Sequence, residues 1–147
     1  MKFLPIFFLL FSGSLLAQET PEGIIDSFFA VLDDQGTQVA LDYLYGSNPW
    51  FNTSAEQIIN LKNQMSTLDD KSYIGECHGY DLIAEEGLSD RLVLYSYLVR
   101  YDRQPIRFTF QFYKPNQEWR MHSFKYDDNL GDELVESARI YSLENRY

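Results

Sequence analysis

Arg91-Leu-Val-Leu-Tyr-Ser-Tyr-Leu-Val-Arg-Tyr101 runs into Asp102-Arg-Gln-Pro105 and then into Ile106-Arg-Phe-Thr-Phe-Gln-Phe-Tyr113. In the last of these, Ile106, Phe108, Phe110 and Phe112 alternate with Arg107, Thr109, Gln111 and Tyr113. A period of two with one apolar row is the pattern of a half-buried β-strand. The first stretch is apolar in both rows: Leu92, Leu94, Ser96 and Leu98 in one, Val93, Tyr95, Tyr97 and Val99 in the other. A sheet with one face in water should alternate more cleanly. Its back face is therefore expected to have a second cover, either the C-terminal helix or a partner subunit. Asp102–Pro105 is a turn, so the two stretches form a hairpin.

Downstream, Lys114-Pro115-Asn116-Gln117-Glu118 reads as a hairpin loop and Trp119 to Tyr126 as the return strand. Asp127-Asp128-Asn129 caps a last helix over about residues 130–143, with Leu130, Leu134, Val135, Ala138 and Tyr141 on one side. Its early acids suit the positive end of the helix dipole. Upstream, Tyr73 to Ala84 is β-rich and carries Gly75 and Gly79. Glycines inside a strand mark bulges, so this strand is expected to be bent, with Glu85-Glu86-Gly87 as its turn.

Before Lys71 the period is helical. Thr20-Pro21-Glu22 starts a helix whose stripe is Ile24, Ile25, Phe28, Phe29 and Leu32, and Asp33-Asp34-Gln35-Gly36 ends it. Thr37 is expected to cap a second helix that carries Val39, Ala40, Leu41, Leu44 and Tyr45. After the break Gly46-Ser47-Asn48-Pro49, Ser54 and Gln57 have the spacing of a capping box. The third helix bears Ile58, Leu61, Met65 and Leu68 and ends at Asp69-Asp70-Lys71. The resulting fold class is α+β: three N-terminal helices packed on a curved antiparallel sheet of about four strands, plus a C-terminal helix.

The chain has 147 residues and opens Met1-Lys2-Phe3-Leu4-Pro5-Ile6-Phe7-Phe8-Leu9-Leu10-Phe11, closing this segment with Leu15-Leu16-Ala17. One charge, a short apolar block and small residues are the layout of a secretory signal peptide, with cleavage expected after Ala17. Residues 18–147 would then form a single domain in the periplasm or outside a bacterium, with no membrane insertion. The 12 Lys+Arg against 22 Asp+Glu give a net charge of −10, and loss of Lys2 takes it to −11. Such a field repels phosphate backbones, and no basic cluster offsets it, so nucleic acid is not an expected partner. Cys77 is the single cysteine, which excludes an internal disulfide and a thiolate zinc cluster.

The order of elements resembles the nuclear transport factor 2-like superfamily, a cone-shaped α+β fold shared with SnoaL-like proteins and also described as cystatin-like. The features that carry this are the helix Ile24–Leu32, the loop at Asn48-Pro49-Trp50, and the block Phe108-Thr-Phe-Gln-Phe-Tyr-Lys-Pro-Asn-Gln-Glu-Trp119. Within the superfamily the chain is similar to small exported bacterial proteins of unassigned function. The resemblance implies a ligand pocket between sheet and helices, and a homodimer through the back of the sheet. The acidic C-terminal helix departs from the minimal fold and could occupy that dimer surface. The pocket would draw on Trp50, Phe51, Tyr95, Tyr97, Phe108 and Phe110. Trp50 is either a lid over a ligand or a plug closing the core. Arg100 and Arg107 would grip a carboxylate-bearing ligand or else pair with nearby acids.

An isomerase-like site in this fold needs a carboxylate in an apolar pocket and a tyrosine as oxyanion donor. Asp81 and Glu76 are the candidate bases, Tyr95, Tyr97 and Tyr101 the candidate donors, and His78 a titratable neighbour. Eleven tyrosines make such pairings common by chance, and the sequence weighs against catalysis. His78 and His122 match no metal-ligand spacing, so no metal and no cofactor are expected. Triad, phosphate-loop and dinucleotide motifs are absent from the sequence. The leading expectation is an exported, non-catalytic binding module for a small apolar ligand or a protein partner. The alternatives are a superfamily isomerase, dehydratase or cyclase, and an acidic inhibitor or immunity-type protein.

Overall fold

A computed structural model describes residues 19–144, so the expected signal peptide lies outside the described residues. The fold is α+β, with four antiparallel strands in one sheet and five helices. Helix α1 spans Pro21–Gln35, α2 Thr37–Gly46, α3 Glu56–Met65 and the single turn α4 Lys71–Ile74. Strands β1 (Cys77–Leu88), β2 (Leu92–Tyr101), β3 (Pro105–Tyr113) and β4 (Arg120–Asp127) follow in spatial order 1-2-3-4, and α5 is Leu130–Glu144. Among the described residues no helix is long and apolar enough to cross a membrane.

Helix α1 begins as its sequence dictates, with the Thr20 hydroxyl accepting from the Gly23 amide at 3.2 Å. Its stripe supplies Ile24, Ile25, Phe28 and Phe29 to the core. Phe28 meets Phe110 and Phe108 edge-on, at ring separations of 5.3 and 6.1 Å, and this joins helix to sheet. The inner row of the sheet follows from the register: Tyr95 opposite Phe110, Tyr97 opposite Phe108, Val99 opposite Ile106. All six side chains are buried.

Three local expectations are corrected. Tyr73 is not in the first strand, because Asp70 accepts from the Ser72 amide and winds Lys71–Ile74 into a helical turn. Glu85-Glu86-Gly87 does not turn; it pairs with Val93–Tyr95, and the reversal falls at Ser89, where φ is 63°. On an edge strand the acids face water at no cost, so charge did not mark an end. At α3 no capping box forms: Ala55 is the N-cap and makes no side-chain bond, while the Ser54 amide donates to Asn52.

The back of the sheet is also not closed as expected. Helix α5 forms over the expected residues, yet none of its side chains is buried. Its tie to the sheet is the ion pair between Arg107 on β3 and Glu133.

Candidate functional site

A cleft of about 650 Å³ opens between the second half of α1, the 3-10 turn Ser66–Asp69 and the start of β1. The stripe that buries Phe29 also brings Asp26 and Asp33, seven residues apart, to one edge of α1. The Tyr80 ring stacks on Phe29 at 3.7 Å with an interplanar angle of 8°, and Tyr101 adds a third aromatic wall. Tyr80 is 37% exposed, so part of the stacked pair is open to a ligand.

The rim is acidic. Asp26, Asp33, Asp69 and Glu76 line it against one cation, Lys71. Asp69 is already engaged by Thr37, and Glu76 accepts from Lys71 at 2.8 Å. The Glu76 hydrogen bond and charge, with Asp33 beyond, hold the Lys71 ammonium above its ordinary range. Burial pushes the Tyr101 phenol well above the usual tyrosine range, reinforced by Cys77 and Asp69. Burial also raises Tyr80, with Asp26 adding to it. Tyr80 and Tyr101 are therefore neutral at physiological pH, and they offer ring faces and hydroxyls rather than charge.

The start of β1 is held by one carboxylate. Asp102 in the β2–β3 turn accepts from the Glu76 amide at 2.8 Å and lies 2.7 Å from His78 Nε2. The His78 hydrogen bond lowers the Asp102 carboxyl, helped by the Glu76 amide. Gly75 precedes this at φ +86°, and a Cβ there would fall on the Asp102 side chain. Gly79, at φ 107°, sits in the first register irregularity of β1 and lets Tyr80 turn back onto Phe29.

The residues proposed from sequence lie elsewhere. Trp50 is 84% exposed and lines no cavity, while Phe51 packs edge-on against Tyr45 at 5.2 Å and closes that end of the core. Asn48 fixes this loop by donating to the Met121 carbonyl at 2.8 Å. Tyr95, Tyr97, Phe108 and Phe110 pack against one another and against Phe28 and Phe29, which occupy the space between helix and sheet. Arg100 and Arg107 are on the opposite face, paired with Asp81 at 2.9 Å and with Asp127 and Glu133.

For the isomerase arrangement, Asp81 and Glu76 would have to be enclosed near a tyrosine hydroxyl. Their side chains are 57% and 59% exposed, and both are ion-paired. The buried phenol that does meet a carboxylate is Tyr95, which donates to Glu22 at 2.6 Å. His78 is committed to Asp102, and His122 lies on β4 beside Tyr113. Among the described residues no group of three His, Cys, Asp or Glu is arranged to hold a metal. The Cys77 thiol lines the cleft, and its one polar neighbour is the Gly79 carbonyl at 4.0 Å.

Sequence reasoning missed Asp26, Asp33, Lys71 and the cleft role of Tyr80. The signal available was the seven-residue spacing of the two acids beside Phe29, together with the glycines that flank Cys77. No family model, curated protein or solved structure matches this chain.

Proposed function

We propose that the protein is an exported, non-catalytic binding module of nuclear transport factor 2-like architecture. On this reading its cleft takes a small molecule with a flat apolar body. Export rests on the leader-like segment that ends at Ala17, and intact-mass measurement of protein recovered from the periplasm would test the cleavage. The family reading is supported by the helix order α1–α3 ahead of a four-stranded meander, and by two register irregularities in β1 that would bend the sheet.

The observation that carries the function is the half-open aromatic stack of Phe29 and Tyr80, with Tyr101 beside it under an acidic rim. Ligand sites are concave, mainly apolar and furnished with a few polar groups. This cleft has those properties, and its rim repels anions and tolerates neutral or cationic heads. The exposed, ion-paired state of Asp81 and Glu76 supports binding over isomerase chemistry.

The test is fluorescence titration with N-phenyl-1-naphthylamine, a neutral flat aromatic probe. We expect saturable binding that falls at least tenfold in Ala30→Trp, which fills the cleft from an exposed helix position. Trp50→Ala should leave it unchanged. No binding, or binding indifferent to the Ala30 substitution in a protein of unaltered circular dichroism, would overturn the assignment.

A further inference from the structure

Two apolar surfaces of this chain are without cover. The first is α5, where Leu130, Leu134, Ala138 and Tyr141 share one helical stripe with Val135 beside it. Leu134 is 71% and Val135 59% exposed. A 15-residue helix with no buried side chain is marginal in water, since most helical stability comes from docking an apolar face. The second surface is the back of the sheet, where Leu92, Leu94 and Leu98 form a half-buried row along β2.

The structure also shows why α5 does not cover its own sheet. Arg107 forks onto Asp127 through Nε at 3.0 Å and Nη2 at 2.9 Å, and its third nitrogen holds Glu133. Asp127 additionally accepts from the Asn129 amide at 3.0 Å, which fixes the turn into α5. With its first turn fastened this way, the helix leaves the sheet with its stripe uncovered. Closing it back would break the Arg107–Glu133 pair.

We infer that the occupant of the back face is α5 of a second copy, the two chains exchanging C-terminal helices about a twofold axis. Charge favours this occupant. In a chain of net −10, the back faces of β2–β4 carry Arg100, Arg107 and Lys125 against Asp127 as their one acid. Helix α5 carries Asp132, Glu133, Glu136 and Glu144. Size fits as well: a 15-residue helix is about 22 Å long and crosses strands spaced about 4.8 Å apart. An isologous pair covers both stripes and both leucine rows at once, where a heterologous contact would leave one of each open.

Analytical ultracentrifugation of the purified protein at 1–200 µM tests this. The expected result is a reversible dimer whose dissociation constant rises at least tenfold in Leu134→Asp and in Leu98→Asp, both at positions where a folded monomer tolerates charge. Raising salt from 50 to 500 mM should weaken it several-fold. Mixing the two variants should restore association, because one intact helix–sheet pair survives in the mixed dimer. A monomer at 200 µM overturns the inference. So does concentration-independent hydrogen-exchange protection of α5, which would mean docking on its own sheet, and so does failure of the mixed variants to associate while the wild type dimerises.

Discussion

Asp69, at the end of the 3-10 turn, accepts from both the amide and the hydroxyl of Thr37, at 2.9 and 2.7 Å across 32 residues of sequence. Thr37 is fully buried and is the first residue of α2. The helix therefore receives its N-terminal carboxylate from a distant segment. Gly36 enters the motif at φ +86°, with the Asp69 carboxylate about where a Cβ would press. The same contact seats Asp69 at the edge of the cleft, so α2 and the cleft floor share one anchor.

Asp69→Ala leaves a buried hydroxyl and an amide unsatisfied. We expect a loss of about 2–3 kcal/mol in urea denaturation, and Asp69→Asn should recover part of it by accepting one of the two bonds. An Ala variant as stable as the parent would contradict the anchoring role.

Gly75→Ala should destabilise by about 1–3 kcal/mol, because a side chain at φ +86° is strained and would displace Asp102. The Asp102 carboxyl is lowered by His78, so its contribution is present above the ordinary aspartate value and lost as pH falls through the folded value. The acid limb of the stability profile should therefore be shallower in Asp102→Asn, measured by chemical denaturation between about pH 2 and 5.

Tyr95 and Glu22 make opposite predictions at the two ends of the pH scale. Tyr95 is pushed up by burial and by its bond to Glu22, and Glu22 is pulled down, chiefly by the Tyr95 hydroxyl. The pair stabilises the fold between the two ordinary values, fades as Glu22 protonates, and fades again as pH climbs past about 10. Tyr95→Phe should cost about 1–2 kcal/mol near neutrality and flatten both limbs. Ultraviolet titration of the wild type should show one tyrosine ionising well after the rest.

Phe28 is fully buried against Phe108, Phe110 and Phe124. Phe28→Ala should lower stability by about 3–5 kcal/mol, whereas Trp50→Ala should change it by less than about 0.5 kcal/mol. Thermal denaturation of the two variants separates the core from the loop.

The alternation of Ile106–Tyr113 and the stripe of α1 were legible because burial imposes a period on sequence. Periodicity says which side chains face inward, not whether the space they face is empty. Phe28 and Phe29 fill the interior expected to hold a ligand, and the cleft opens instead where Gly75 and Gly79 bend the edge strand. Arg100 and Arg107 were placed near a turn without a face, and strand parity puts them on the back. The exposure of Trp50 had no sequence signal, since its loop is fixed by Asn48 reaching the Met121 carbonyl far along the chain.

Strand β1 leaves one border of the sheet unpaired, and its ladder breaks twice, at Cys77–Tyr80 and at Leu82–Ala84. Incoming backbone from another molecule meets a kinked template studded with Asp81, Glu85 and Glu86. The kinks that open the cleft thus also guard the protein against growing into fibres.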